Sequence, residues 1–287
     1  MKRSIMAALI AAVVGGPVML AGCGGALISR EQEIAMGREA APEFEQEFGG
    51  LVQDAALQDY VDMVGQRVAA RSDRDMPYEF DLLRSDVPNA FALPGGKIYI
   101  TAGLMSDMEN ERELAAVLAH EVAHVAQKHN VAALERQLGA SVLLELASAA
   151  LGGTEGQIAE VAGGVVAGMV QLRYSRNAEY EADTFGIRYM ERAGYNPWGM
   201  IELLTTLKNL SDSEPGSFAE MFSTHPLTSK RIEEARQTVR SEYSGYATSA
   251  SDPSRDRFMQ MRQRLVASGQ IVPQSGQNTG RALREGD

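Results

Sequence analysis

Five residues, His120-Glu121-Val122-Ala123-His124, constrain this chain more than any other stretch. An α-helix advances about 100° per residue, so His120 and His124 stand one turn apart on one face and both imidazoles can reach a single metal ion. The flanks read as helix too: Leu114, Leu118, Val122 and Val125 form an apolar stripe beside the histidine face. Ser106 and Glu109 read as a capping box that starts this helix, which then runs to about His129. Glu121 suits a general base: it hydrogen-bonds a zinc-bound water whose pKa the metal has lowered to roughly 7, takes the proton and returns it to a leaving amine. A motif this short arises by chance on the order of once in a hundred chains of this size. A core helix with two incidental histidines is the competing reading, and context has to decide.

A catalytic zinc usually takes a third protein ligand and leaves one position open. The metzincin pattern places a glycine three residues and a histidine six residues after the second histidine, where this chain has Gln127 and Asn130. His129 is out of register by one, and a five-residue step turns it away from the metal face, so it is expected in solvent. A carboxylate remains. Glu179 on a later helix is the best candidate, and Asp183 lies one turn further on the same face. Asp183 suits the acceptor of the free ring N–H of a zinc histidine. Glu181 points about 200° from Glu179 and is expected solvated. Taken singly, each of these acids reads more simply as an exposed helix charge.

Composition narrows the alternatives. Lys and Arg total 27 against 38 Asp and Glu, which provides no basic face for nucleic acid. The single cysteine, Cys23, rules out a cysteine-based zinc site and an intramolecular disulfide. Residues 1–22 read as an export signal, with Lys2 and Arg3 before an apolar stretch from Ile5 to Leu20 that is shorter than the roughly 20 residues of a spanning helix. The ending Leu20-Ala21-Gly22-Cys23 resembles a bacterial lipobox, which implies cleavage before Cys23 and lipidation of that residue. Gly24 is not the Asp of the inner-membrane retention signal, and by that resemblance the destination is the periplasmic face of the outer membrane.

At 287 residues with 45% hydrophobic content, the chain can bury a substantial core. Residues 23–30 form a short tether, 31–245 a catalytic domain, and 246–287 a C-terminal tail with a short helix at 254–267 and a mobile end. Helices are expected at 31–48, stopped by Gly49-Gly50, and at 58–71. Tyr78 to Thr101 carries three strand signals, read as a small antiparallel sheet packed on the metal helix. Apolar stretches at 138–151 and 158–172 read as a helical hairpin whose second arm continues through Asp183 and stops at Gly194; helices at 198–209 and 228–243 follow. The expected fold is therefore α+β and mostly helical.

The HEVAH run followed by Ser175-Arg176-Asn177-Ala178-Glu179-Tyr180-Glu181-Ala182-Asp183 resembles the gluzincin metallopeptidases related to HtpX and the CAAX prenyl proteases. Asn89 to Gly96, Ile98 to Thr101, Gly103-Leu104, Glu113 to Ala115 and Thr224-His225-Pro226 resemble its soluble periplasmic lipoprotein branch. The resemblance spans about residues 31–240 and implies a zincin-type catalytic domain with one zinc ion, held by His120, His124 and Glu179, with Asp183 behind them. It implies two further roles. His225 matches a family histidine near the zinc that fills the open position at rest or assists the transition state; Arg231 matches a nearby arginine, and both are expected among the catalytic groups. It also implies an edge strand that pairs with substrate backbone, for which Lys97, Ile98, Tyr99, Ile100 and Thr101 are the candidates, an interior strand being the alternative. The activity implied is endoproteolysis of misfolded or unassembled envelope proteins, with outer-membrane assembly machinery as a partner. The rival is a lipoprotein that chaperones outer-membrane proteins while its proteolysis stays silent. The spanning helices of the membrane members and the tandem repeats of one soluble relative are not seen in this sequence.

Overall fold

Ser29 accepts from the backbone N–H of Gln32 and Gln32 answers on Ser29, and this reciprocal cap starts helix α1, Arg30–Glu47. The computed structural model describes residues 27–214, 216–248 and 252–272, so the export signal and Cys23 lie outside the described residues. In chain order α2 (Ala55–Ala69), β1 (Glu79–Leu83), β2 (Ala90–Ala92), a 3-10 turn (Pro94–Gly96) and β3 (Lys97–Thr101) follow. Then come α3 (Ala102–Asp107), α4 (Glu111–Ala126), α5 (His129–Leu138), α6 (Ala140–Ala150), α7 (Glu155–Val170) and α8 (Arg176–Arg192). The series closes with α9 (Trp198–Ser213), α10 (Ala219–Thr224), α11 (Ser229–Glu242) and α12 (Arg255–Ala267). The α+β, mostly helical fold is as expected.

The sheet is mixed, not antiparallel. Its order is β1-β3-β2: β3 runs parallel to β1 from Glu79↔Lys97 to Leu83↔Thr101 and antiparallel to β2 from Ala90↔Ile100 to Ala92↔Ile98. The Pro94-Gly95-Gly96 turn, with Gly95 at φ 87° and Gly96 at φ 105°, makes a hairpin of β2 and β3. The Pro88 segment makes no second hairpin, and β1 takes the other side of β3. Both sides of Lys97, Ile98, Tyr99, Ile100 and Thr101 are therefore occupied, and that segment is not an edge strand. In the described sheet β2 is the edge strand beside α4, and its residues Ala90, Phe91 and Ala92 are buried.

Alternation along β3 sorts the core into two halves. Ile98 and Ile100 join the core cluster that includes residues of α2, α4, α8 and α9; Tyr99 joins the one that includes residues of α1, α6 and α7. Phe44 of α1 stacks on Tyr99 with centroids 5.2 Å apart and meets Phe91 edge-on at 5.0 Å. The metal helix α4 lies between these layers, buried from Glu113 to Val125. Its start differs from the expectation: Asn110, not Ser106, is the cap, accepting from Glu113 N at 3.0 Å, while Glu113 accepts from Asn110 Nδ2 and Glu109 N. Its far end is clamped by Arg74, which donates to Val125 O at 2.9 Å and pairs with buried Glu33 of α1 at 2.6 Å.

The helix also ends earlier than expected. Lys128 sits at φ 60°, the one non-glycine residue described with positive φ, and the chain restarts as α5 in a new direction. Likewise α7 and α8 are separate helices, because Ser175 caps α8 by accepting from Ala178 N at 3.1 Å. The segment after 254 packs on the body. Phe258 and Leu265 of α12 are fully buried, Arg257 pairs with buried Glu111 at 2.6 Å, and Val272 exchanges backbone hydrogen bonds with Arg84 and Asp86. No helix among the described residues is long and apolar enough to cross a membrane.

Candidate metal centre

Helices α4 and α8 pack against each other more extensively than any other described pair, and Gly186 allows the approach: a Cβ there would lie 3.3 Å from the His120 backbone nitrogen. This contact brings Glu179 to the histidine pair. His124 Nε2 lies 3.0 Å from His120 Nε2 and 3.3 Å from Glu179 Oε1, and His120 Nε2 lies 3.6 Å from Glu179 Oε2. A tetrahedral zinc with bonds of about 2.0–2.1 Å separates its ligands by roughly 3.3 Å, so the spacing of these three donors suits that ion. His225 is the fourth member. Its Nδ1 is 3.2 Å from Glu179 Oε1, and His120, His124, Glu179 and His225 each offer an atom within 4.8 Å of the others, all four side chains being buried.

Glu121 stands on the same helix turn with its carboxylate buried. Its Oε1 lies 3.8 Å from His225 Nε2, and its Oε2 has no hydrogen-bond partner among the described residues. An orphaned buried carboxylate oxygen beside converging metal donors is what a general base awaiting a water and a substrate would look like. Burial raises its pKa, with His225 and His120 acting in the opposite direction.

Around the donors, other side chains fix their orientation. Asp183 Oδ1 lies 3.0 Å from His120 Nδ1, leaving Nε2 to face the cluster. Arg231, from the first turn of α11, grips Asp183 through Nε at 2.6 Å and Nη2 at 2.8 Å and reaches Glu179 through Nη1. Its guanidinium is thus committed to two acids. Burial alone would raise the pKa values of Glu179 and Asp183, but the Arg231 charge and the histidine contacts outweigh it and hold both below the carboxylate range. Burial works against a charge on His120, yet hydrogen bonds to Asp183 and Glu179 push its pKa up to about 9; for His124 burial wins and the shift is strongly downward.

Two residues belong to the site that the sequence did not place there. Tyr174 stacks on His124 with centroids 3.8 Å apart, and its backbone N–H donates to Thr224 O, next to His225. His129, expected in solvent, is buried with Nδ1 3.1 Å from His124 Nδ1; the left-handed turn at Lys128 brings it back over the metal helix. Glu181 is mostly exposed, as expected, but its Oε2 meets His129 Nε2 at 3.1 Å. Lysine is a poor signal for a left-handed turn, so nothing in the sequence marks this return. Beyond Glu121 an apolar cleft lined by Val117, Leu204, Leu207, Phe222 and Leu227 opens onto His120 and His225.

Comparison with known proteins gives the arrangement its context. The chain is 35% identical over 235 residues to the beta-barrel assembly-enhancing protease of Yersinia pestis, covering 74% of this chain and 45% of that protein. It is 31% identical over 271 residues to the protein of the same name from Escherichia coli strain K12, covering 82% and 52%. The mitochondrial metalloendopeptidase OMA1 of Schizosaccharomyces pombe is 31% identical over 208 residues, covering 71% and 60%. The chain spans about half the length of the curated relatives it matches. A profile of peptidase family M48, whose metalloproteases use zinc, matches residues 55–239. That match takes in the metal helix, the helix of Glu179 and Asp183 and the His225 segment alike, and the chain belongs to peptidase family M48.

Proposed function

We propose that this protein is a zinc metalloendopeptidase of the bacterial cell envelope that cleaves misfolded or unassembled proteins. The observation that carries the reading is the orphaned Oε2 of Glu121 beside the His120, His124, Glu179 donor set. A zinc ion held by those three residues supplies a Lewis acid that polarises a peptide carbonyl and acidifies water. Glu121 takes the proton of the attacking water and delivers it to the leaving amine, and its burial suits it to both transfers. Asp183 fixes the His120 ring. Arg231, expected among the catalytic groups, acts as a positioning residue that keeps Glu179 and Asp183 ionised and aimed.

Substrate enters as an extended segment. The outer edge of β2 lies beside α4, and Asn89 at its start is hydrogen-bonded to Glu220 of α10, the helix that leads into His225. Pairing with that edge, whose residues Ala90, Phe91 and Ala92 are buried in this structure, would read main chain and not side-chain sequence. The names of the bacterial relatives support an envelope setting tied to outer-membrane protein assembly. Lipidation at Cys23 would anchor the protein in the periplasm, at the outer membrane. As a test, the full chain loaded with zinc should cut casein, lose that activity to a chelator and regain it on zinc addition. Chelator-resistant cleavage would refute a zinc peptidase.

The place of His225 favours a second reading, an assembly chaperone whose proteolysis is silent, because this ring completes the four-donor set. Rescue of an envelope defect by Glu121→Gln as fully as by the native chain would support that reading.

A further inference from the structure

Zinc held by His124 needs an acceptor on the other side of the ring, and the structure supplies an unusual one. His124 turns Nε2 toward His120 and Glu179, so in its neutral, ligating form it carries its proton on Nδ1. Nδ1 faces Nδ1 of His129 at 3.1 Å. Only an unprotonated His129 Nδ1 can accept that proton, which puts the His129 proton on Nε2, where Glu181 Oε2 accepts it at 3.1 Å. One tautomer of each ring satisfies every contact. His120 has a carboxylate, Asp183, in the corresponding place, so the two histidine ligands are held by different chemistry.

We propose that His129 is a positioning residue of the metal centre: with Glu181 behind it, it accepts the Nδ1 proton of His124 and so fixes that ring as a zinc ligand through Nε2. The proposal rests on His124 as a ligand. The position of His129 is imposed by the backbone, since on an uninterrupted helix a five-residue step would turn it away from the metal face. The outer link is open to solvent, with the Glu181 side chain 59% exposed, and the inner link is sealed, the His124 side chain being fully buried. A neutral acceptor leaves the negative charge of the pair at the protein surface, one ring further from zinc than Asp183 is.

Zinc affinity of the full chain, measured by competition with a chromophoric chelator at fixed pH, tests this without reference to activity. His129→Leu fills the same space without an acceptor and should weaken zinc binding by about 10–100-fold, the usual cost of losing such a partner. His129→Asn keeps an acceptor oxygen near the place of Nδ1 and should recover most of the loss. A packing role predicts the reverse order, with Leu the better replacement, and that order would overturn the proposal. Glu181→Ala, at an exposed position, should weaken binding by a smaller, measurable factor; native affinity in this variant would overturn it as well. His124→Ala separates the two levels. If it loses zinc while His129→Leu binds as the native chain does, the relay is refuted and the ligand set stands; if His124→Ala itself binds normally, the ligand set and the relay both fail.

Discussion

Arg231 and Asp183 form a two-pronged pair between α11 and α8, Nε to Oδ2 at 2.6 Å and Nη2 to Oδ1 at 2.8 Å, with all of it buried. The same guanidinium reaches Glu179, so one cation offsets two buried acids. Removing one member of such a group leaves charge uncompensated in the interior, which typically costs about 3–5 kcal/mol. Arg231→Leu should therefore destabilise the metal-free protein by that order in urea unfolding. Arg231→Lys should recover only part of it, because an ammonium cannot make the fork. Equal stability of the Leu variant and the native chain would show that the pair does not matter.

His225 completes the donor set from the segment after α10, and its Nε2 lies 3.8 Å from Glu121. If the ring occupies the position that substrate needs, His225→Ala should keep its zinc and cut casein several-fold faster than the native chain. Slower cleavage with zinc retained would instead assign His225 to transition-state stabilisation.

Burial pushes the Glu113 carboxyl up to about 8, so in the folded protein it holds a proton that the unfolded chain loses near its ordinary value of 4.5. The sign follows: native chain binds more protons between those values, and stability falls as pH rises from about 4.5 through 8. Glu113→Gln should flatten that slope in urea titrations at pH 5, 7 and 9. An unchanged slope would mean that Glu113 does not contribute to it.

Lys128 at φ 60° holds a left-handed conformation that costs a side chain about 1–2 kcal/mol and glycine almost nothing. Lys128→Gly should leave stability unchanged or raise it by up to about 1 kcal/mol, the relief being partly offset by unfolded-state entropy. Lys128→Val, β-branched, should lower it by about 1–3 kcal/mol and weaken zinc binding through His129. A tolerated valine would contradict the turn.

The candidate donor set is legible in the sequence only where helical geometry alone relates the residues. His120 with His124, and Glu179 with Asp183, each share a face within one helix, and the structure brings the two pairs together. The contact between them could not be read from periodicity; it depends on Gly186 and the close approach of α8 to α4. His129 escapes helical periodicity for the complementary reason: its five-residue step from His124 crosses the left-handed turn at Lys128, where the helix ends. The sheet shows the same limit. Turn signals at Pro94–Gly96 located the β2–β3 hairpin, but strand order in space depends on which edge of β3 is left for β1, and β3 proved interior. For α12 the pattern showed a short helix, and only Phe258, Leu265 and Arg257 seated on the body reveal that it is a packed element.

On the proposed reading, Glu121 carries protons in a zinc site that it does not help to build. Glu121→Gln in the full chain keeps shape and removes the basic oxygen, so its zinc content and affinity should match the native protein while casein cleavage falls by at least about 100-fold, the scale of general-base catalysis. Native-rate cleavage by a Glu121→Gln sample with verified zinc would contradict the account.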